Sequence, residues 1–407
     1  DFFWIAAIGL VLLTALYTIF GGMKSVLYTS VLQTPILLLG SLVILVLGFK
    51  ELGGWEEMIK ICGAVSVNDQ GDTMTNLIRS NSDPNFPWLG ALIGSSIIGF
   101  WYWCTDQFIV QRVLSGKNEK EARRGTIFGA YLKLLPVFLF LIPGMIAFAL
   151  HQKYIGDGGF LPMLANGNPN ADAAFPTLVA KLLPAGMKGL VVCGILAALM
   201  SSLASLFNSS AMLFTIDFYK RFKPQTSEKK LVGIGQIATV VIVILGILWI
   251  PIMRSVGDVL YTYLQDVQSV LAPGIAAAFL LGICWKRTSA KGGMWGLLSG
   301  MIIGLTRLGA KVYYSNATDA SDGLFKYLFY DMNWLFFCGW MFLFCMVVVI
   351  LVSLATEAPT AEKIQGVVFG TSTPEQKAAT RGSWNHWDVI HSVIILGITA
   401  AFYWYFW

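Results

Sequence analysis

Residues 125–150 read GTIFGAYLKLLPVFLFLIPGMIAFAL, an apolar run long enough for a helix that crosses a bilayer. Lys133 lies well inside this run. A charged side chain at such a position costs on the order of 2.5–3.5 kcal/mol on insertion scales, so it needs a partner or a water-filled cavity. The stretch therefore predicts a membrane-spanning helix that contributes to a polar path through the membrane.

The composition of the whole chain excludes an ordinary soluble domain. Of its 407 residues, 56% are hydrophobic and only 13% are charged, and the mean hydropathy is +0.68. The six cysteines form no CxxC pair and the three histidines are scattered, so neither a disulfide framework nor a metal centre is expected. No nucleophile and base stand in a recognisable pattern, so an enzyme is the least favoured class.

Hydropathy divides the chain into ten candidate membrane spans. They cover residues 3–20, 26–49, 89–113, 125–150, 187–218, 231–252, 256–284, 292–309, 333–354 and 387–407. We therefore expect an all-α, polytopic membrane protein.

The loops between these spans alternate in positive charge. One set, at 21–25, 114–124, 219–230, 285–291 and 355–386, carries 16 Lys and Arg residues. The opposite set, at 50–88, 151–186, 253–255 and 310–332, is longer in total but carries only eight. Because cytoplasmic loops are enriched in Lys and Arg, this asymmetry predicts that both ends of the chain are extracytoplasmic, in a plasma membrane or a bacterial inner membrane. The sequon at Asn316 and a possible lid at 156–173 would then lie outside.

The third span contains the string Trp101-Tyr102-Trp103-Cys104-Thr105-Asp106-Gln107. Aromatic residues usually mark membrane interfaces, but these lie past the middle of the span. At that depth an aromatic face can stack on a sugar ring or close a pathway. Asp106 is interpreted either as part of such a site or as a charge at a helix end that reaches water.

Small and hydroxyl-bearing residues follow one helix face in the fifth span. They are Ala198, Ser201, Ser202, Ser205, Asn208 and Ser209, which are related by steps of three, four and seven residues. Such a stripe serves either for close helix packing or as a source of hard oxygen ligands for a small cation. The pattern leaves both interpretations open.

The seventh span combines polar side chains with a helix breaker. Gln265, Asp266 and Gln268 precede Ala272-Pro273-Gly274, which predicts a broken or bent helix. Transporters use such interruptions near the midplane to bind substrates and ions. Together with Lys133 and the hydroxyl stripe, this segment predicts a common water-filled cavity at membrane depth.

Four strings resemble the sodium–glucose cotransporters of the solute:sodium symporter family. They are WYWCTDQFIVQRVLSGKN (101–118), GAYLKLLPVFLFLIPGMI (129–146), LAALMSSLASLFNSSAMLFTIDFYK (196–220) and LAPGIAAAFLLGICWKR (271–287), in the family's order. The resemblance implies a fold of five plus five helices in an inverted repeat, with flanking spans.

That fold implies a division of this chain. Residues 1–50 would hold the last two helices of the first repeat, 51–88 an extracellular loop, 89–284 the second repeat, and 285–407 three additional helices with a cytoplasmic loop at 355–386. Because the chain begins at Asp1 with no initiator Met or signal peptide, we expect a fragment that lacks the N-terminal helices.

The resemblance also implies a substrate site. Tyr102 would form an aromatic inner gate below the sugar, with Trp103 as its neighbour. Lys133 and Gln265 would bind sugar hydroxyls.

The same resemblance implies a sodium site. Ala198 through its carbonyl, and Ser201 and Ser202 through their hydroxyls, would form one half of it, and the other half would lie on absent helices. Two departures stand out: Ser30 occupies the place of an aspartate associated with the sodium path, and Gly99 lies where relatives often carry a polar sugar contact.

The implied function is a sodium-coupled symporter of a sugar such as glucose or galactose, working by alternating access. Its partners would be the sugar, Na⁺ as coupling ion and the lipid bilayer, with no nucleic acid. One alternative keeps the class but changes the solute to inositol, an amino acid, a nucleobase or an anion. The other is a sugar-binding membrane sensor that has lost transport, which Ser30 keeps open.

Overall fold

The computed structural model describes residues 2–164, 167–254, 260–316 and 323–406, which have the predicted all-α class. Isolated β-bridges occur in loops, but the described residues form no sheet. The first helices are α1 (Phe2–Leu52), α2 (Trp55–Gly63), α3 (Trp88–Phe100), α4 (Gln107–Leu114), α5 (Glu119–Pro136), α6 (Ile142–Lys153), α7 (Ala174–Leu182) and α8 (Ala185–Met212). They are followed by α9 (Lys220–Phe222), α10 (Glu228–Arg254), α11 (Leu260–Cys284), α12 (Ala290–Asn316), α13 (Leu324–Lys326), α14 (Trp334–Ala355), α15 (Ala361–Ile364), α16 (Pro374–Gly382) and α17 (His386–Tyr405).

Seven helical segments among the described residues are long and apolar enough to cross a membrane. They are Gln33–Leu52, Glu119–Lys153, Ala185–Phe222, Glu228–Pro251, Leu264–Cys284, Trp334–Ala355 and His386–Tyr405, and Phe3–Ile19 is a shorter apolar segment. Each coincides with a predicted span, although residues 256–259 of the seventh span lie outside the described residues. The two remaining predicted spans are helical as well, as α3 with α4 and as α12.

The loop predicted at residues 21–25 is wrong, because α1 continues through it as one helix. Two glycines in this segment each disfavour a helix by about 1 kcal/mol, but it contains no proline. Helix α8 packs against both halves of α1. On one side the Tyr17 hydroxyl donates to the Met200 carbonyl at 2.7 Å, and on the other Ile36 fits against Gly194. Shared packing of the two halves on one neighbour supports a continuous helix.

Four π-helical turns interrupt the α-helices in the described part of the chain. They are Trp101–Thr105, Val137–Leu141, Leu213–Tyr219 and Tyr327–Asp331. Such turns are rare and often occur at functional segments. The first contains part of the aromatic string, and the second begins four residues after Lys133.

The chain forms two units, each with its own core. Unit 1 comprises residues 1–65 and 130–259, and unit 2 comprises 66–129 and 260–407. In unit 1, α1, α8 and α10 meet in a small buried cluster. In unit 2, Ala272 and Ala276 of α11 pack with side chains from α3 and α14.

Of the two outcomes predicted at Ala272-Pro273-Gly274, a broken or a bent helix, the break does not occur. Helix α11 runs unbroken through Pro273, which is buried. Its neighbour α12 approaches very closely here: a Cβ on Gly274 would lie 3.4 Å from the Cα of Gly300. We infer that this close packing offsets the hydrogen bond that a helix loses at proline.

The two segments predicted to lie outside, the sequon and residues 156–173, are each connected to a described helix. The sequon begins at the last residue of α12, but residues 317–318 lie outside the described part of the chain. The segment at 156–173 is attached to α6 by His151, whose Nδ1 accepts hydrogen bonds from the backbone N–H groups of Phe160 and Leu161.

Candidate functional site

The hydroxyls of Ser30 and Ser201 form a hydrogen bond that joins α1 to α8 within unit 1. Ser201 is buried, with 6% of its surface exposed, and Ser30 is partly buried. The residue that departs from the family's aspartate is therefore in direct contact with a predicted sodium ligand. The sequence singled out both serines but did not indicate that they touch.

The structure splits the hydroxyl-bearing stripe of α8 into two faces. Ser201, Ser205 and Ser209 are buried in unit 1, as expected for close helix packing. Ser202 is exposed, and Ala198 is partly exposed one turn before it. The packing interpretation therefore fits Ser205 and Ser209, whereas Ser202 is open to a ligand.

Lys133 lies in the last turn of α5, three residues before Pro136 and the π-helical turn at 137–141. Its side chain is exposed in unit 1. It therefore faces either the lipid or a wet space, and an ammonium group at membrane depth favours the wet space.

In unit 2 the helical backbone is interrupted at Asp106. After the π-helical turn at 101–105 the backbone of Asp106 becomes extended, with φ −73° and ψ 119°. Its carboxylate accepts the backbone N–H of Phe108 at 3.1 Å and so caps α4. Asp106 therefore lies at a helix end, and its part in a binding site stays a prediction.

Tyr102 and Trp103 lie on the π-helical turn that precedes this break. Their rings make an edge-to-face contact with centroids 5.2 Å apart. Tyr102 is partly buried and Trp103 is half-exposed, so each presents an aromatic surface. Space is open around Gly99, where a Cβ would meet no atom within 4 Å.

Gln265 is partly exposed near the start of α11, two turns before Pro273. It belongs to unit 2 with Tyr102 and Trp103, whereas Lys133 and the stripe of α8 belong to unit 1. The common cavity for these groups stays a prediction.

A charge cluster of unit 2 was missed at the sequence level. It consists of Asp266 on α11 and Arg307 and Lys311 on α12. The available signal was the position of Arg307 inside the predicted span 292–309, since a charged residue inside a membrane span requires a partner.

One described cavity lies away from these residues. It has a volume of about 560 Å³ in unit 1 and lies between residues 159–162 and α7. None of the predicted site residues lines it, so it carries no part of the site.

The family model of the sodium:solute symporter family matches residues 3–300, well over half of the chain. The chain belongs to this family. The symporter-family match includes every residue assigned above to the substrate and sodium sites.

Several curated relatives of this symporter-family chain are named as cotransporters. Human sodium/myo-inositol cotransporter 2 is 38% identical over 90% of this chain and 56% of its own length. The sodium/mannose cotransporter SLC5A10 of Bos taurus is 34% identical over 99% of this chain and 72% of its own length. Sodium/glucose cotransporter 4 of Danio rerio is 36% identical over 88% of this chain. The chain thus spans 56% of the human relative.

A solved structure of a Na⁺-coupled sialic acid symporter, in a substrate-bound outward-open state, resembles this chain with a TM-score of 0.61. The alignment covers 86% of this chain and 66% of the other at 21% identity, so it bears on the fold alone. The symporter-family chain is part of the five-plus-five inverted-repeat fold, and it is a multi-pass membrane protein.

Proposed function

We propose that the full-length protein is a sodium-coupled symporter that carries a sugar or a related polyol by alternating access. The observation that carries this proposal is the alignment of 99% of the chain with a sodium/mannose cotransporter at 34% identity. The relatives named for myo-inositol reach 38% identity, so myo-inositol joins glucose and galactose as a candidate solute. We also propose that the C-terminal end of this chain is extracytoplasmic, because the basic loop at 355–386 precedes the last span and would lie on the cytoplasmic side. The same proposal for the N-terminal end required a turn at 21–25, which the continuous helix α1 does not make.

The sodium part of the proposal rests on α8 of unit 1. The carbonyl of Ala198 and, one turn later, the hydroxyls of Ser201 and Ser202 provide oxygen atoms, and oxygen is the ligand that hard cations prefer. Ser30 adds a neutral hydroxyl next to Ser201. A neutral oxygen attracts a cation less than a carboxylate does, so we expect weaker sodium binding than an aspartate at this place would give.

The solute part rests on three kinds of side chain. Lys133 and Gln265 offer hydrogen-bond donors for hydroxyl groups, and the Gln265 amide also accepts. Tyr102 and Trp103 offer aromatic faces for the C–H face of a sugar ring. A neutral polyol needs such donors, acceptors and apolar faces rather than an opposite charge.

Sodium and solute are coupled if each binds one conformation of the transporter more tightly than the other. We propose that Na⁺ favours the outward-open state and that the solute then binds above Tyr102. Movement of the repeats would release both inside. Equal affinity for both conformations would produce no coupling, however tight the binding.

A second candidate is a sugar-binding membrane sensor without transport. The observation that favours it is Ser30, since loss of a carboxylate next to Ser201 weakens the sodium path. A sensor would bind a polyol but would not accumulate it.

Uptake into proteoliposomes tests these possibilities. The full-length protein would be supplied with labelled glucose, galactose, mannose or myo-inositol under an inward gradient of Na⁺ or of choline. We expect one or more of these solutes to accumulate above equilibrium with Na⁺ only. Saturable binding without accumulation would support the sensor, and equal uptake in choline would contradict sodium coupling.

A further inference from the structure

The charge cluster of unit 2 lies next to Gln265, and the proposed mechanism does not use it. Asp266 follows Gln265 on α11, and Arg307 and Lys311 lie one turn apart on α12. Arg307 is fully buried and Asp266 is 7% exposed. Two cations thus share a single carboxylate in the interior of the unit.

Each oxygen of the Asp266 carboxylate is near a different cation. Lys311 Nζ donates to Oδ2, and Arg307 Nη2 lies 3.6 Å from Oδ1. The Oδ1 atom makes no hydrogen bond with the described residues. Both oxygens of the Asp266 carboxylate therefore face α12.

Arg307 connects this pair to the rest of unit 2. Its Nη2 donates to the Met332 carbonyl at 2.8 Å, and its Nη1 donates to the Leu328 carbonyl at 3.4 Å. Its guanidinium carbon lies 4.0 Å from the ring centroid of Phe337 on α14. One face of α11 is thereby attached through α12 to the π-helical turn at 327–331 and to α14.

A buried ion cluster is a costly way to hold two helices together. Removing charges from water costs several kcal/mol per ion, and well-packed apolar residues often do as well or better. The glycine contacts between α11 and α12 already provide close packing, since a Cβ on Gly304 would lie 2.6 Å from the Val270 carbonyl oxygen. The cluster adds a fixed orientation that apolar packing alone does not specify.

The rotation of α11 about its own axis determines the direction in which the Gln265 side chain leaves the helix. Successive residues of an α-helix are separated by about 100° around its axis, because a turn contains 3.6 residues. With Asp266 directed toward α12, the Gln265 side chain starts from an adjoining face of α11. Rotation of α11 by a fraction of a turn would remove its amide from a solute hydroxyl.

We propose that Asp266, Arg307 and Lys311 are positioning residues that orient α11 and so place Gln265 for solute recognition. This inference rests on the proposed function in assigning the solute to Gln265. These three residues would contribute to solute selectivity without touching the solute.

A double-mutant cycle tests the proposal in the full-length protein. The variants are Gln265→Ala, Asp266→Asn and the two combined, with Asp331→Asn as a control that removes an exposed carboxylate of the same unit. Binding of myo-inositol and of glucose in detergent would give the solute Kd. Sodium-driven uptake of the same solutes, normalised to the amount of protein in the membrane, would give KM and turnover. These two readouts separate solute positioning from transport.

We expect Asp266→Asn to raise Kd and KM about tenfold, the effect of about one hydrogen bond, with a smaller change in turnover. In the Gln265→Ala background the same substitution should have little further effect, because the positioned amide is already gone. Asp266→Glu should recover part of the affinity. Asp331→Asn should match the wild type.

A second variant, Lys311→Met, tests the same role without removing the carboxylate. Asp266→Asn leaves buried Arg307 and partly exposed Lys311 without a counter-charge and could fail to fold, whereas Lys311→Met leaves the neutral pair of Asp266 and Arg307. We expect Lys311→Met to reach the membrane, to raise Kd and to show the same loss of effect with Gln265→Ala. Additive effects on Kd, or lower protein amounts with unchanged Kd, would overturn the positioning role. Coupled effects on Kd with no sodium-driven uptake would support it and contradict symport.

Discussion

Ser201 and Ser202 are adjacent in sequence, but the side chain of Ser201 is buried and that of Ser202 is exposed. Ser201 is buried against Ser30, whereas Ser202 is open on the surface of unit 1. Of the two proposed sodium ligands, Ser201 already has a hydroxyl partner in Ser30, and Ser202 is the more accessible. Ser202 is therefore the sharper test of the sodium site.

Ser202→Ala should raise the sodium concentration for half-maximal transport about tenfold, because losing one ligand of about 1.4 kcal/mol changes affinity by that factor. Solute uptake as a function of sodium concentration measures this. Ser205→Ala is the matched control, since it removes a hydroxyl from the buried face of the same helix. An unchanged sodium dependence in Ser202→Ala would remove this residue from the cation site.

Lys133→Ala should abolish saturable solute uptake, because it removes the ammonium donor assigned to solute hydroxyls. Lys120→Ala, an exposed lysine at the start of α5, serves as the control and should leave uptake unchanged. Initial uptake rates over a range of solute concentrations provide the measurement. Normal uptake in Lys133→Ala would refute the assigned role.

Two segments between the helices show how a few side chains order a stretch of backbone. In unit 1 the imidazole of His151 is 3% exposed and accepts two backbone N–H groups at 3.1 and 3.0 Å. In unit 2 the carboxylates of Asp72 and Asp83 accept hydrogen bonds from the loop at 66–88. The His151 arrangement satisfies two buried N–H groups that would otherwise be unpaired, and the two carboxylates accept from partly buried donors.

His151→Leu should release the segment at 159–162, because each buried N–H left without an acceptor costs about 1–3 kcal/mol. His151→Asn keeps an acceptor oxygen close to the place of Nδ1 and should preserve the segment. Hydrogen exchange at the amides of Phe160 and Leu161 distinguishes the two variants. Equal protection in both would show that the imidazole does not hold this segment.

The loop at 66–88 should lose its order in acid. Burial opposes ionisation of Asp83, but the N–H groups of Phe86 and Asn85 and the charge of Arg79 outweigh it and lower its pKa. The Asn68 amide and the Ser80 N–H lower the pKa of Asp72. A lowered pKa in the folded state stabilises the loop above the ordinary value of 3.8, and this stabilisation is lost as the pH falls below it.

Protection factors, corrected for the intrinsic exchange rate at each pH, should therefore be constant from pH 7 to about pH 5 and fall below about pH 4. Asp83→Asn should reduce protection at neutral pH and weaken this dependence. Asp69→Asn, an exposed aspartate of the same loop, is the control. Constant protection down to pH 3 would contradict the role of the two carboxylates.

For the whole molecule, hydropathy alone located nearly every membrane segment, because an apolar stretch of sufficient length has few other solutions. The two differences concern helix continuity. Helix α1 continues through 21–25 while α8 packs against α1 on either side of that segment, and α11 continues through Pro273, where α12 approaches closely. The real interruption, at Asp106, had a side chain suited to capping the next helix.

The candidate site was predictable to a smaller extent. Residue type and spacing selected Ser201, Ser202 and Gln265, but contacts between distant residues do not follow from spacing. The hydrogen bond between Ser30 and Ser201 joins residues 171 positions apart, and the ion pair between Asp266 and Lys311 joins residues 45 positions apart. A sequence indicates that a buried charge needs a partner, whereas only a structure identifies it.

The central claim is that solute movement carries sodium charge across the membrane. Voltage-clamp recording of cells that express the full-length protein tests it most directly, with myo-inositol, glucose, galactose and mannose applied in turn. A neutral polyol that moves with Na⁺ should evoke a saturable inward current that disappears when choline replaces Na⁺. Sodium-independent solute entry without current would contradict the account.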